Sequence, residues 1–322
     1  MASRPRPARL RRTALALLVA ASVAVPVAGA ARPAAVPAPA PAAHAALAAT
    51  TPAALDERYA RSREDIRAAE RAAAGHGDRA GAAALTAMAA PDRRFLSFDG
   101  RDGGRSAEVL GDLAHAGRIA VLVPGSDTGL DTYERFRAGA RALQGELGEQ
   151  AAVVAWLGYR TPDTVSPEVL TPGRADTAAR QLRAFVEELH AAAPRARIAL
   201  LGHSYGSVVC ARAAAGLPVA DLVLFGSPGT GYDHVGELRT GATVWAGRGT
   251  GDWIARVPHV SLDLPFATVG FGADPTAKDF GAHVFAAGTG GHSDYLRPGS
   301  APLRAIAAIV TGRRPAEEGR HA

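Results

Sequence analysis

Between Arg197 and Val209 the chain reads RIALLGHSYGSVV. Apolar Ile198–Leu201 runs into Gly202-His203-Ser204-Tyr205-Gly206, then into a small-residue helical pattern. A short apolar run ending at glycine predicts a buried strand, and Ser207–Ala215 predicts a helix. The spacing G-x-S-x-G in a strand–turn–helix setting describes a nucleophile elbow, where a sharp turn holds the serine hydroxyl out beyond the strand. Gly202 and Gly206 remove the side chains that would collide where strand and helix approach. The string alone carries little, because 36 glycines in 322 residues yield about 0.1–0.2 such strings by chance. Its flanks carry the argument.

The same alternation extends on both sides. Strands are predicted at Phe95–Phe98, Ala107–Leu110, Ile119–Val123, Ala152–Leu157, Ile198–Leu201, Leu222–Phe225, Thr243–Ala246 and Val284–Ala286. Helices are predicted at Tyr133–Leu147, Ala175–Ala192, Ser207–Ala215 and Ala301–Thr311. Such a chain builds a mostly parallel α/β sheet with helices on both faces, and functional loops gather at the carboxyl ends of its strands. This main domain spans residues 93–312, preceded by a helical extension over 54–92 and followed by a frayed tail, 313–322. Within the extension, residues 54–73 carry a partial apolar stripe of Leu55, Tyr59, Ile66 and Ala69, too little to stand alone, so this helix packs on the main domain.

Residues 1–30 read as a signal peptide. Arg4, Arg6, Arg9, Arg11 and Arg12 form a basic start, Ala14–Val25 an apolar stretch, and Ala28-Gly29-Ala30 a small-residue cleavage site. The apolar stretch is short for a membrane span and Pro26 ends it, so cleavage and export are expected rather than a stable transmembrane anchor. An Ala/Pro-rich linker over 31–53 follows. The formal charge of +5 lies in the same leader: without its five arginines, basic and acidic residues balance. The high isoelectric point is therefore no sign of a nucleic-acid partner. The single cysteine, Cys210, excludes an intramolecular disulfide, so burial of the core must hold the exported domain together.

An activated serine needs a base, an orienting acid and donors for an oxyanion. In this type of sheet the chain order is serine, acid, histidine. Of the histidines beyond Ser204, His234 lacks an acid placed before it, His259 follows any acid too closely, His283 opens a strand and His321 sits in the tail. His292, in the loop Gly288–Asp294, is the candidate base. Asp252, in the turn GRGTGDWI after the strand at 243–246, is the candidate acid, with Asp233 and Asp274 as rivals. The backbone N–H of Tyr205 is the first oxyanion donor; Ser126, or failing it Gly125, from the loop after Ile119–Val123, is the second. His203 reads as a bystander. There is no H-E-x-x-H, no paired cysteines and no dinucleotide fingerprint, so no metal or cofactor is implied.

The segments VLVPGS, AWLGYRTP, GHSYGS, FGSPG, GDWI, FGADPTAKDFGA and GGHSDY occur in an order that resembles a secreted bacterial α/β-hydrolase family catalogued as a domain of unknown function. The resemblance covers roughly residues 54–312. It implies the α/β-hydrolase fold, and it matches Ser204, Asp252 and His292 to the family's triad; the short stretch between Phe225 and Thr243 separately leaves room for little or no cap domain. It implies no substrate. One departure is the loop VPGSDTG, where the family leads one to expect a smaller, less acidic stretch.

Three functional readings follow. The first is a secreted serine hydrolase acting on carboxylic esters, small-molecule or lipid-like, with Ala255–Gly281 (Phe266, Val269, Phe271) as an apolar acyl wall. The second keeps the triad in an envelope acyltransferase or peptidase/amidase. The third is a non-catalytic binding protein on a hydrolase scaffold.

Overall fold

The structure, a computed structural model, describes residues 38–43, 45–164, 173–257, 261–264 and 267–315, with the backbone alone for 261–264 and 267–270. The signal-like segment therefore lies outside the described residues. Eight strands form the main sheet: β1 (Arg94–Asp99), β2 (Arg105–Gly111), β3 (Arg118–Val123), β4 (Ala151–Leu157), β5 (Arg197–His203), β6 (Asp221–Phe225), β7 (Thr243–Gly247) and β10 (His283–Val284). Their order is β1-β2-β4-β3-β5-β6-β7-β10. β1 pairs antiparallel with β2, and β2 with β4; every later pairing is parallel. This is the α/β-hydrolase fold.

Sequence pattern explains the layering. Along β3, Ile119, Val121 and Val123 belong to one core cluster while Ala120 and Leu122 belong to another, because successive side chains leave opposite faces of a strand. The first face is covered by helices α4 (Gly173–Ala192) and α5 (Tyr205–Ala213), through Leu182, Val186, Val208 and Val209. The second is covered by α3 (Tyr133–Leu147) and α6 (Ala301–Val310), through Leu143, Leu303, Ile306 and Val310. With helices on both sides, β4 is buried at all seven positions, which is why it reads as an unbroken apolar run.

The N-terminal extension docks at the β1 edge. Helix α1 (Pro52–Gly75) starts with Thr51 as its cap and Pro52 in the first turn. Its Leu55 and Tyr59 join the main core, while Ile66, Ala69 and Ala73 pack with Phe95, Phe98 and helix α2 (Arg79–Met88). α2 was not expected, because Gly75, Gly77 and Gly81 read as breakers. The first two only separate the helices, and Asp78 caps α2 by accepting from the Gly81 N–H at 2.9 Å. The described part of the Ala/Pro-rich segment before helix α1 has neither helix nor strand, yet it is pinned to the domain. Leu47 is buried, and its N–H donates to Glu188 Oε1 at 2.7 Å.

Two further differences concern the last third of the chain. A hairpin of β8 (Ser261–Leu264) and β9 (Ala267–Gly270) stands apart from the main sheet. The last strand is only His283–Val284, paired with Trp245 and Ala246, instead of the expected Val284–Ala286. Among the described residues, no helix is long and apolar enough to cross a membrane.

A buried ion cluster ties the antiparallel edge to α3. Arg93 grips Glu108 with two hydrogen bonds, Nε to Oε1 at 2.7 Å and one terminal nitrogen to Oε2 at 2.8 Å. Its other terminal nitrogen reaches Glu134 at 2.7 Å, and Arg137 Nε reaches Glu108 at 2.9 Å. Removing one member of a buried pair leaves an uncompensated charge. Glu108→Gln is therefore expected to lower the unfolding free energy by about 3 kcal/mol or more, measured by urea denaturation. A loss below about 1 kcal/mol, the scale of a surface pair, would contradict this account.

Candidate active site

Ser204 sits between β5 and α5 with φ 53° and ψ −127°, a strained conformation for a residue with a side chain. The surroundings hold it there. Its N–H donates to the Phe225 carbonyl at 3.0 Å, and its own carbonyl accepts from the Ser207 N–H at 2.9 Å. A Cβ on Gly202 would stand 2.6 Å from Ser207 Cα, and one on Gly206 would stand 2.5 Å from the Val123 and Pro124 carbonyl oxygens. Neither position admits a side chain, so the crossing requires both glycines.

The structure brings the three predicted polar residues together. His292 Nε2 lies 2.9 Å from Ser204 Oγ, and its Nδ1 lies 2.9 and 3.0 Å from the two oxygens of Asp252. Asp252 caps a short 3-10 turn, Trp253–Arg256, and accepts the Ile254 N–H at 2.8 Å. The loops carrying acid and base run backbone against backbone. Thr250 N–H donates to the Gly288 carbonyl at 3.0 Å, and a Cβ on Gly249 would meet the Gly290 carbonyl oxygen at 2.4 Å. The rival acids lie elsewhere: Asp274 is paired with Arg248, and Asp233 is exposed. His234 faces Glu237 at 3.4 Å and His283 packs on Trp245, while His259 and His321 lie outside the described residues.

Two residues complete the site that sequence reasoning missed or dismissed. Tyr295 is buried and donates to Asp252 Oδ2 at 2.6 Å, while its oxygen accepts the Gly249 N–H at 3.0 Å. Burial and the adjacent carboxylate push its own ionisation far up, so it stays a donor. For Asp252, burial favours the neutral acid, but hydrogen bonds from His292, Tyr295 and the Ile254 N–H outweigh it and hold the carboxyl below its usual range. His203 is no bystander. Its Nε2 lies 2.8 Å from the His292 carbonyl oxygen, which can only accept, so this nitrogen carries the hydrogen. Burial, with His292 nearby, lowers its pKa to about 4, keeping it a neutral donor. The only sequence signals were adjacency: His203 beside Ser204, and Tyr295 three residues after His292.

On the oxyanion side, Tyr205 opens α5 at its first position. Gly125 is the loop residue against the serine: a Cβ there would stand 2.6 Å from Ser204 Cβ and 3.1 Å from its Oγ. Ser126 is the next residue out and half-buried. Tyr159 donates its buried hydroxyl to the Pro124 carbonyl at 2.7 Å, which sets this loop's height. The acidic departure at VPGSDTG has a structural cause. Asp127 takes a positive φ of 57°, and its carboxylate accepts the Thr164 N–H at 3.0 Å and the Thr164 hydroxyl, tying the loop after β3 to the loop after β4. Of the expected acyl wall, Phe271 instead packs in the core edge-on to Tyr205; Phe266 and the Val269 side chain lie outside what is described.

Comparison with known proteins places residues 99–262, about half of the chain, within a family described as alpha/beta hydrolase. That span includes Ser204 and Asp252; His292 and Tyr295 lie beyond it. An uncharacterized protein of Mycobacterium tuberculosis is 29% identical over 255 residues, covering 67% of this chain and 38% of its own length. A second from that organism is 35% identical over 148 residues, covering 41% of this chain and 55% of its own. The chain thus spans about two fifths to one half of the curated relatives it matches. Among solved structures, a lid-less α/β serine hydrolase from Xanthomonas campestris matches at TM-score 0.46 and 22% identity, covering 71% of this chain and 98% of that one. Esterase LipW from Mycobacterium marinum matches at TM-score 0.42 and 17% identity, covering 77% and 88% respectively.

The depressed pKa of His203 carries a stability signature. In the unfolded chain a histidine binds its proton near pH 6.5, but in the fold only near pH 4. Stability from this residue is therefore full above about pH 6.5 and drains away as pH falls towards about 4. Urea unfolding at a series of pH values is expected to show this slope in the wild type and a flatter one in His203→Gln. Equal slopes would mean that His203 does not resist protonation.

Proposed function

The chain belongs to the alpha/beta hydrolase family, and from that premise we propose that it is a serine hydrolase cleaving carboxylic esters through an acyl-enzyme. One observation carries the reading: a continuous hydrogen-bonded line from Ser204 Oγ through His292 to Asp252, with 2.9 Å at each end. In the neutral imidazole whose Nδ1–H donates to Asp252, His292 Nε2 is the acceptor and takes the hydroxyl proton as Ser204 attacks the acyl carbon. The oxyanion that forms is held by the Tyr205 N–H, at the positive end of α5, and by an N–H from the loop at Gly125 and Ser126. His292 then passes the proton to the departing alcohol, and water, activated by the same nitrogen, releases the acid. Asp252 keeps the imidazole in the correct tautomer, Tyr295 and the Ile254 N–H hold Asp252, and His203 fixes the backbone of His292.

An ester is the favoured bond because the segment between β6 and β7 holds only a short 3-10 turn, Val235–Leu238, with no cap to grip a long peptide. The signal-like start supports work outside the cytoplasm, with a mature N-terminus at Ala31 expected from N-terminal sequencing of exported protein.

A fluorophosphonate probe is expected to label the wild type, and Ser204→Ala to abolish labelling. On short-chain 4-nitrophenyl esters, Ser204→Ala should lower kcat by at least about 10³-fold, and Asp252→Asn by on the order of 10⁴-fold. An unlabelled wild type, or a Ser204→Ala protein that labels as well, sinks the reading. Product analysis with water and with competing alcohols separates hydrolysis from acyl transfer.

A further inference from the structure

The imidazole of His292 lies between two rings. His203 packs on it at 4.8 Å between centroids, and the Trp253 indole lies 4.7 Å away at 49°. His203 has a task inside the fold, bonding the His292 carbonyl. Trp253 has none evident. It is 47% exposed, the one large apolar side chain that stands out of the surface among the described residues. A single exposed apolar side chain is ordinary on a protein surface; what sets this one apart is its place against the His292 imidazole.

The indole is also held in place. Trp253 directly follows Asp252 and opens the 3-10 turn that Asp252 caps, and the next residue, Ile254, is buried. The loop before it is clamped against residues 288–290. A half-exposed aromatic ring carried on a held turn is a preorganised platform.

Its position assigns which half of the substrate it meets. The nitrogen that takes the Ser204 proton must return it to the departing oxygen, which therefore lies within about 3 Å of His292 Nε2 in the intermediate. The half-exposed side chain tilted against that imidazole is Trp253, so it borders the alcohol half. The carbonyl oxygen points towards the N–H groups of Tyr205 and the Gly125 loop, and the acyl chain leaves the tetrahedral carbon by its remaining bond, away from the departing alcohol. Resting on the serine-hydrolase reading above, we propose that Trp253 is a specificity-determining residue that receives the alcohol portion. The preferred substrates are then esters of alcohols bearing an aromatic or extended apolar group.

The test varies one half at a time on the full-length chain. In acetates of methanol, benzyl alcohol and 2-naphthylmethanol, which differ little in leaving-group acidity, the wild type should prefer the aromatic members. In Trp253→Ala the ratio of kcat/KM for benzyl over methyl acetate should fall about tenfold, mainly through KM, while Trp253→Phe keeps most of it. In 4-nitrophenyl esters of rising acyl length, the profile of Trp253→Ala should parallel that of the wild type. An unchanged benzyl-to-methyl ratio overturns the proposal, as does a loss that tracks acyl length. So does an equal loss on every ester, which would make Trp253 a shield for His292 only. Fluorophosphonate labelling separates the two levels. A wild type that does not label sinks the hydrolase reading, whereas a labelled wild type with an unaltered alcohol preference in Trp253→Ala sinks only the assignment of Trp253.

Discussion

The crossing of β5 and α5 at Ser204 is the contact on which the rest of the site depends. Strand and helix meet so closely that two positions accept only glycine, and the residue between them takes a backbone conformation that costs about 1–3 kcal/mol. That strain is offset by neighbours: β6 supplies the Phe225 carbonyl to the Ser204 N–H, and the end of β3 with the residue after it places the Val123 and Pro124 carbonyls against Gly206. Ser204 is thus held by the sheet itself rather than by a loop. Its hydroxyl stands where the carboxyl ends of β3, β5 and β6 converge.

Asp252 and His292 arrive on loops, which are ordinarily the less exact part of a fold. Here the two loops form one unit. Glycines at 249 and 251 let the acid loop lie directly on the backbone of residues 288–290, and Tyr295 bridges them by bonding Asp252 and Gly249 at once. His203 then ties this double loop to the elbow through the His292 carbonyl. The imidazole consequently has fixed partners at both nitrogens and a fixed backbone. Such preorganisation is what electrostatic stabilisation of a reaction demands.

Legibility followed the range of the interactions. Strands β1 to β7, and helices α3 to α6, were readable because each shows its own period or apolar run. Helix α3 has the predicted limits, Tyr133–Leu147. The Ser–Asp–His set was readable because chain order and loop position narrowed each choice to a few residues. Helix α2 was obscured by glycines whose meaning depends on Asp78, and the last strand was shortened by what β7 could pair with. Glu108 and Arg93 look like ordinary surface charges in the sequence. Only the tertiary structure shows them buried and paired, and only it shows the acidic Asp127 as a brace to Thr164.

By itself the sequence determined the α/β layering, the place of Ser204 at a strand end and the order of the residues that follow it. These are encoded by local periodicity, by glycine spacing and by the right-handed βαβ rule, all of which act within one or two elements. The tertiary structure put Asp252, the sequence's first choice over Asp233 and Asp274, against His292, and it alone decided that Tyr295 and His203 hold them and that Trp253 is left half-exposed beside the imidazole. Those outcomes depend on distances between residues up to 89 positions apart, set by how two loops pack on a sheet edge, and no local pattern carries that information.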